Sequence, residues 1–224
     1  SLQPNDVAYT ALITAYARIM DVQRAEEMLQ KMEDMYQAGN TRVRPTAASY
    51  TAIMDAHARQ KGNRGAAIQA EDIYKRLEQL YQQTGEFTLR PDAVAIKLVM
   101  KAWTNARQAD SAQKVEEYLN SALQDNFLRN KVDVSMYNIV LTAWAMSSRM
   151  DNVERAEAIL EDLEARYEES NNKEALRPSS YTFDCMLDCL ARRSKQQQQQ
   201  NSNVGDVILK TESILHRMMN VYGH

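Results

Sequence analysis

The chain has 224 residues, 44% hydrophobic and 25% charged, with 7% aromatic residues, 6 Gly and 4 Pro. So few breakers among so much Ala, Leu, Met, Glu, Gln and Arg favour helix nearly throughout and exclude a strand-rich fold. No run approaches the roughly 18 consecutive apolar residues of a membrane span, and the net charge of −3 with a pI near 5.7 argues, taken alone, against a nucleic-acid partner.

The predicted elements come in pairs. The chain opens on Ser1-Leu2-Gln3-Pro4-Asn5-Asp6, a polar turn in which no signal peptide is visible. This opening reads as an inter-repeat linker, so a piece of a longer protein is expected. The first leading helix is 9–18 (YTALITAYAR) and its follower 24–36 (RAEEMLQKMEDMY), where Ala25, Met28, Leu29, Met32 and Tyr36 make one apolar stripe. The second pair is 50–59 and 69–81, the third 96–105 and 114–126, the fourth 137–146 and 155–167, the fifth 183–192 and 210–222. Before most leading helices stands a turn signal: Arg44-Pro45-Thr46, Arg90-Pro91-Asp92, Val132-Asp133, Arg177-Pro178-Ser179. There Pro ends one helix and Asp, Thr or Ser can cap the next.

The pairs repeat position by position. The seventh place of each leading helix is small (Ala15, Ala56, Ala102, Ala143, Cys189), which lets helices approach closely, and the eighth is usually large (Tyr16, His57, Trp103, Trp144, Leu190). The third place of each follower is Glu26, Glu71, Glu116, Glu157 or Glu212, and Tyr36, Tyr81, Tyr167 and Tyr222 close four of the five. One pair cannot bury its apolar faces alone, whereas stacked pairs can. The expected fold is therefore all-α, a right-handed α-solenoid of five helix–turn–helix repeats forming one array over 1–224, with repeats 6–46, 47–92, 93–133, 134–179 and 180–224. The segment 194–205, with glutamines 196–200, reads as a solvated, disordered loop.

Charge is uneven along this pattern. The leading segments 7–20, 47–62, 93–108, 134–150 and 180–195 carry +7 together and the remainder −10. If leading helices line one face, that face is a basic groove suited to a phosphate backbone. The alternative is that the followers are solvated outer helices with routine glutamates. Catalysis is not expected. Cys185 and Cys189 read as reduced core residues, and His57, His216 and His224 are too scattered to hold zinc. No deaminase signature, two-metal carboxylate cluster, phosphate-binding glycine loop or nucleophile motif is present. No metal, cofactor or small-molecule substrate is anticipated.

The strings Val7-Ala8-Tyr9-Thr10-Ala11-Leu12-Ile13 and Arg24-Ala25-Glu26-Glu27-Met28-Leu29-Gln30-Lys31-Met32, closed by Arg44-Pro45-Thr46, resemble a pentatricopeptide repeat (PPR). So do Tyr137-Asn138-Ile139-Val140-Leu141 and Arg155-Ala156-Glu157. Tetratricopeptide repeats are the nearest competitor, but their Trp–Leu–Gly–Tyr signature is missing. The resemblance implies binding of single-stranded RNA, about one base per repeat, in organellar RNA processing, stability or translation, and so a mitochondrial or plastid location, with the cytoplasm as the alternative. It implies base readers Thr10, Thr51, Lys97, Asn138 and Asp184, partnered by Thr46, Asp92, Asp133 and Ser179. It implies base-flanking residues Val7, Ala48, Val94, Ser135 and Tyr181, with Arg18, Arg59 and Lys101 on the RNA backbone. Thr51 with Asp92 resembles a guanine-type pair, and Asn138 with Ser179 a pyrimidine-leaning one, cytosine ahead of uracil. Departures are the repeat lengths of 41 and 46 residues, the weak Thr10–Thr46 pair, the opposite charges of Lys97 and Asp133, which suit an ion pair, and the charge of Asp184, which repels phosphate. A protein-binding scaffold is the competing function.

Overall fold

The computed structural model describes residues 4–171, 173–199 and 205–222. Among them are ten α-helices: α1 (Asp6–Arg18), α2 (Val22–Gln37), α3 (Ala47–Ala58), α4 (Arg64–Thr84), α5 (Ala93–Ala106), α6 (Ser111–Gln124), α7 (Val134–Met146), α8 (Asn152–Glu169), α9 (Ser180–Gln199) and α10 (Gly205–Tyr222), with no strand among the described residues. The protein is an all-α helical-repeat protein. No helix among the described residues is long and apolar enough to cross a membrane.

The turn residues start the helices by satisfying the first free N–H groups. The Asn5 side chain accepts from Ala8 N–H at 3.1 Å, Asp92 Oδ1 from Ala95 N–H at 2.9 Å and Asp133 Oδ1 from Met136 N–H at 3.2 Å. Thr46 and Ser49 form a capping box on α3, and Ser179 and Thr182 bond reciprocally at the start of α9. Gly85 ends α4 in the left-handed region at φ 66, a conformation that only glycine adopts without a Cβ penalty. The recurring Arg-Pro and closing Tyr belong together: Arg44 lies over the Tyr36 ring at 6.0 Å and Arg90 over Tyr81 at 5.8 Å.

The helices form two compact units, Ser1–Ala106 and Arg107–His224, so α5 belongs to the first and α6 to the second. In the first unit α1 packs on α2 and α3, and α3 on α4 and α5. In the second, α7 packs on α6, α8 and α9, and α9 on α10. The small seventh-place residues Ala56, Ala102, Ala143 and Cys189 are buried, which permits this close backbone approach. Tyr50, Ile53, Met54 and Leu77 are fully buried in the first unit, and Tyr137, Trp144 and Phe183 in the second.

Three of the third-place glutamates, Glu26, Glu71 and Glu116, are structural. Trp103 Nε1 donates to Glu71 at 2.8 Å, Trp144 Nε1 to Glu116 at 2.9 Å, and His57 Nε2 meets Glu26 at 2.7 Å. In each case the eighth-place residue of one leading helix clasps the glutamate of the preceding follower. A second clasp joins followers: Arg155 pairs with Glu116, Lys210 with Glu157 at 2.7 Å, Arg76 with Glu33 and Arg217 with Glu164. Glu33, Glu71 and Glu116 are buried. The followers are thus not merely solvated outer helices, because several of their acids bolt neighbouring hairpins together. The expectation of a loop at 194–205 is corrected over 194–199, which continue α9 as helix, and at Gly205, where α10 begins. These glutamines extend a helix whose core contacts end near Arg193, and glutamine is a good helix former. Residues 200–204 lie outside the described residues.

Candidate nucleic-acid interface

Each leading helix presents a stripe spaced three, four and four residues apart, a single helical face. In the first unit the stripes are Val7-Thr10-Thr14-Arg18, Ala48-Thr51-Asp55-Arg59 and Val94-Lys97-Lys101-Asn105. In the second they are Ser135-Asn138-Thr142-Met146 and Tyr181-Asp184-Asp188-Arg192. The opening residue of every stripe is exposed, and three are large and apolar: Val7 at 68%, Val94 at 55% and Tyr181 at 54%. An exposed apolar residue at the same place in hairpin after hairpin contributes nothing to the core.

The implied readers stand next to these residues in varied settings. Thr10 and Thr46 line one open depression of about 510 Å³ together with Val7, Thr14 and Arg18. The Thr10 hydroxyl lies 3.0 Å from Ser49 Oγ, and Ser49 Oγ accepts the Thr46 N–H at 3.5 Å, so Ser49 links the pair. Thr51 donates to the Ala48 carbonyl at 3.3 Å, while Asp92 accepts from Val94 and Ala95 N–H at the start of α5. That pair is occupied locally, each member on its own helix end. Lys97 is half-buried in the first unit. Asp133, in the second, caps α7 and accepts from Ser135 Oγ at 2.6 Å.

The fourth pair is brought together. Asn138 Nδ2 donates to Ser179 Oγ at 3.5 Å, while Asn138 Oδ1 is shielded from solvent and accepts no hydrogen bond. Leaving such an acceptor unsatisfied costs about 1–3 kcal/mol. Beside it, Thr142 Oγ1 lies 3.4 Å from both the Tyr181 hydroxyl and Cys185 Sγ. Asp184 is exposed on α9. Lys101 and Arg18 are exposed as well, but Arg59 is engaged: its guanidinium donates to the Ala17 carbonyl at 3.1 Å and pairs with Asp55 at 3.1 Å, holding the C-terminal end of α1.

Sequence reasoning missed Ser49, Thr14 and Thr142. The signal for the threonines was available, since each sits four residues after a reader on the same helical face. Ser49 was legible only as the last residue of a Thr-x-x-Ser capping box. Charge along the stripes is also divided. Arg18, Lys97 and Lys101 give the first unit a basic stripe set, whereas Asp184 and Asp188 outnumber Arg192 in α9. Both thiols, Cys185 and Cys189, are free and buried. Burial raises the Cys185 pKa and pushes Cys189 up to about 12. Among the described residues no group of three or more His, Cys, Asp or Glu is disposed to hold a metal ion.

Compared with known proteins, residues 1–60 match the family model described as Pentatricopeptide repeat domain. This span covers α1 and α2 and runs through α3. No curated protein matches the chain.

Proposed function

We propose, from the pentatricopeptide-repeat match over residues 1–60 and the same positional pattern in the hairpins beyond it, that this chain binds single-stranded RNA along the exposed stripes of its leading helices. The observation that carries the reading is the recurring juxtaposition at the start of those helices. An exposed residue, Val7, Ala48, Val94, Ser135 or Tyr181, stands three places before a polar reader, Thr10, Thr51, Lys97, Asn138 or Asp184. Apolar and aromatic surfaces take base faces in a sequence-tolerant way, and hydroxyl or amide groups exchange hydrogen bonds with base edges.

The Asn138–Ser179 site fits base reading best, because it holds a long amide–hydroxyl contact and an unsatisfied acceptor, and the next residue on that face, Thr142, lies 3.4 Å from the Tyr181 hydroxyl. Lys97, Lys101 and Arg18 supply backbone contacts, which puts phosphate binding mainly on the first unit. RNA processing, stability or translation in mitochondria or plastids follows as the biological setting. The role assigned is binding without chemistry.

The test is the affinity for a pool of single-stranded RNA as salt is raised. The proposal predicts a linear fall of log affinity with log salt concentration. No binding at low salt would overturn it. A second reading, a protein-binding scaffold, is favoured by one observation: Asp184 and Asp188 are both exposed on α9, where phosphate is repelled and a basic peptide is attracted.

A further inference from the structure

Two polar contacts join the stripes of α7 and α9 within the second unit, one helical turn apart. At the first, Asn138 Nδ2 donates to Ser179 Oγ at 3.5 Å. At the second, about 6 Å further along α7, Thr142 Oγ1 lies 3.4 Å from the Tyr181 hydroxyl and 3.4 Å from Cys185 Sγ. Thr142 has a single hydroxyl hydrogen, and it goes to the Asn138 carbonyl at 2.7 Å. The Tyr181 O–H is therefore the donor in its contact with Thr142. Burial keeps the Cys185 thiol protonated, and a thiol is too weak a donor to displace the phenol.

Tyr181 stays 54% exposed although its tip is held. A ring tied at both ends, by its Cα on α9 and by its hydroxyl on α7, has little rotamer freedom left to lose when a flat group stacks on it. At 3.4 Å the contact is long, so it steers the ring without locking it. The first unit has no counterpart at these places. There the residues corresponding to Thr142 are Thr14 and Asp55, and the openers that follow them, Ala48 and Val94, carry no polar tip to hold.

Resting on the RNA-binding role above, we propose that Thr142 is a positioning residue, which holds the Tyr181 ring as a shelf for the base whose edge meets Asn138 and Ser179. The face of that base lies on the phenol and its edge on the amide and hydroxyl, so stacking and hydrogen bonding fall to neighbouring residues. Thr142 has no hydrogen free for a base, because its own is committed within α7. Stacking is indifferent to which base is present. Thr142 therefore adds affinity at this one place, and Asn138 chooses the base.

The experiment selects a single-stranded RNA from a randomised pool with the 224-residue chain, then replaces its nucleotides one at a time by abasic ones and reads affinity by fluorescence anisotropy. Thr142→Val and Tyr181→Phe should each weaken binding of the selected RNA about threefold, the worth of one long neutral hydrogen bond, and the double variant should lose no more than either alone. An abasic nucleotide at one position, the same for both variants, should abolish that loss, because a missing base cannot use the shelf. Thr142→Ser keeps the hydroxyl and should restore the affinity. A second selection with Thr142→Val should return unchanged base preferences, in contrast to Asn138→Ala. Tyr181 is half-exposed, so Tyr181→Phe carries the test even where Thr142→Val lowers stability. Losses that multiply in the double variant, or that persist whichever base is removed, would overturn the positioning role and leave RNA binding standing. A pool that yields no bound RNA would remove the RNA-binding role itself, and the shelf with it.

Discussion

Replacing Glu116 by Ala removes the acceptor of three donors at once: Trp144 Nε1 at 2.9 Å, Arg155 Nε at 3.3 Å and Arg155 Nη2. The Trp144 ring is 2% exposed, so its N–H is left without a partner away from water, which costs about 1–3 kcal/mol. Breaking a fully buried ion pair costs about 3–5 kcal/mol, but the Arg155 side chain is 48% exposed and recovers much of its hydration. The sum expected for Glu116→Ala is about 2–4 kcal/mol, with Glu116→Gln nearer 1 kcal/mol because the amide oxygen still accepts from the indole. Urea unfolding followed by Trp fluorescence measures it. The chain has two Trp residues, and in a Trp103→Phe background Trp144 alone reports on the second unit. A loss under about 0.5 kcal/mol for Glu116→Ala would refute the view that these glutamates bolt the hairpins, and would return them to a solvated face.

Lys97→Ala with Lys101→Ala should weaken binding to all RNA sequences alike and reduce the salt slope by about one for each phosphate no longer neutralised, read by fluorescence anisotropy. Asn138→Ala should change base preference at one position of a randomised RNA by about 1–3 kcal/mol, leaving other positions as they were; an unchanged selection would remove Asn138 from the reading set. The thiol of Cys189 has a folded pKa of about 12 against an ordinary value of 9.0, burial being the main cause. The folded state therefore holds this proton more tightly than the unfolded chain. Its stabilising effect is complete below about pH 9 and is lost as pH rises toward 12, a trend that the burial-raised pKa values of Tyr50 and Tyr137 reinforce. Thermal midpoints should fall across that window, and thiol labelling at about pH 8 should be slow until the chain unfolds.

Much of the fold was legible because it is local. The leading helices begin at Asp6, Ala47, Ala93, Val134 and Ser180, each directly after an Asn, Thr, Asp, Asp or Ser that the turn signals mark. Small seventh-place residues announced close helix packing for the same reason: volume and period are properties of a short window. What stayed hidden depends on partners 28 to 53 residues away, such as Glu116 with Trp144 or Glu164 with Arg217. Recurrence marked those glutamates as a pattern, but periodicity cannot say what a carboxylate touches. The candidate interface divides likewise. Exposure of Val7, Val94 and Tyr181 follows from their place at the helix start, whereas the capture of Arg59 by the end of α1 and the link through Ser49 depend on which helix lies alongside. The glutamines after Lys195 misled because composition favours disorder while propensity favours a longer helix, and through Gln199 propensity prevails.

Photo-crosslinking of 4-thiouridine-containing single-stranded RNA, followed by peptide mapping, tests most directly whether RNA lies along the leading helices. Adducts at Val7, Val94, Tyr181 and their stripe neighbours on α1, α3, α5, α7 and α9 are predicted. Adducts confined to the followers α2, α4, α6, α8 and α10, or none at all, would contradict it.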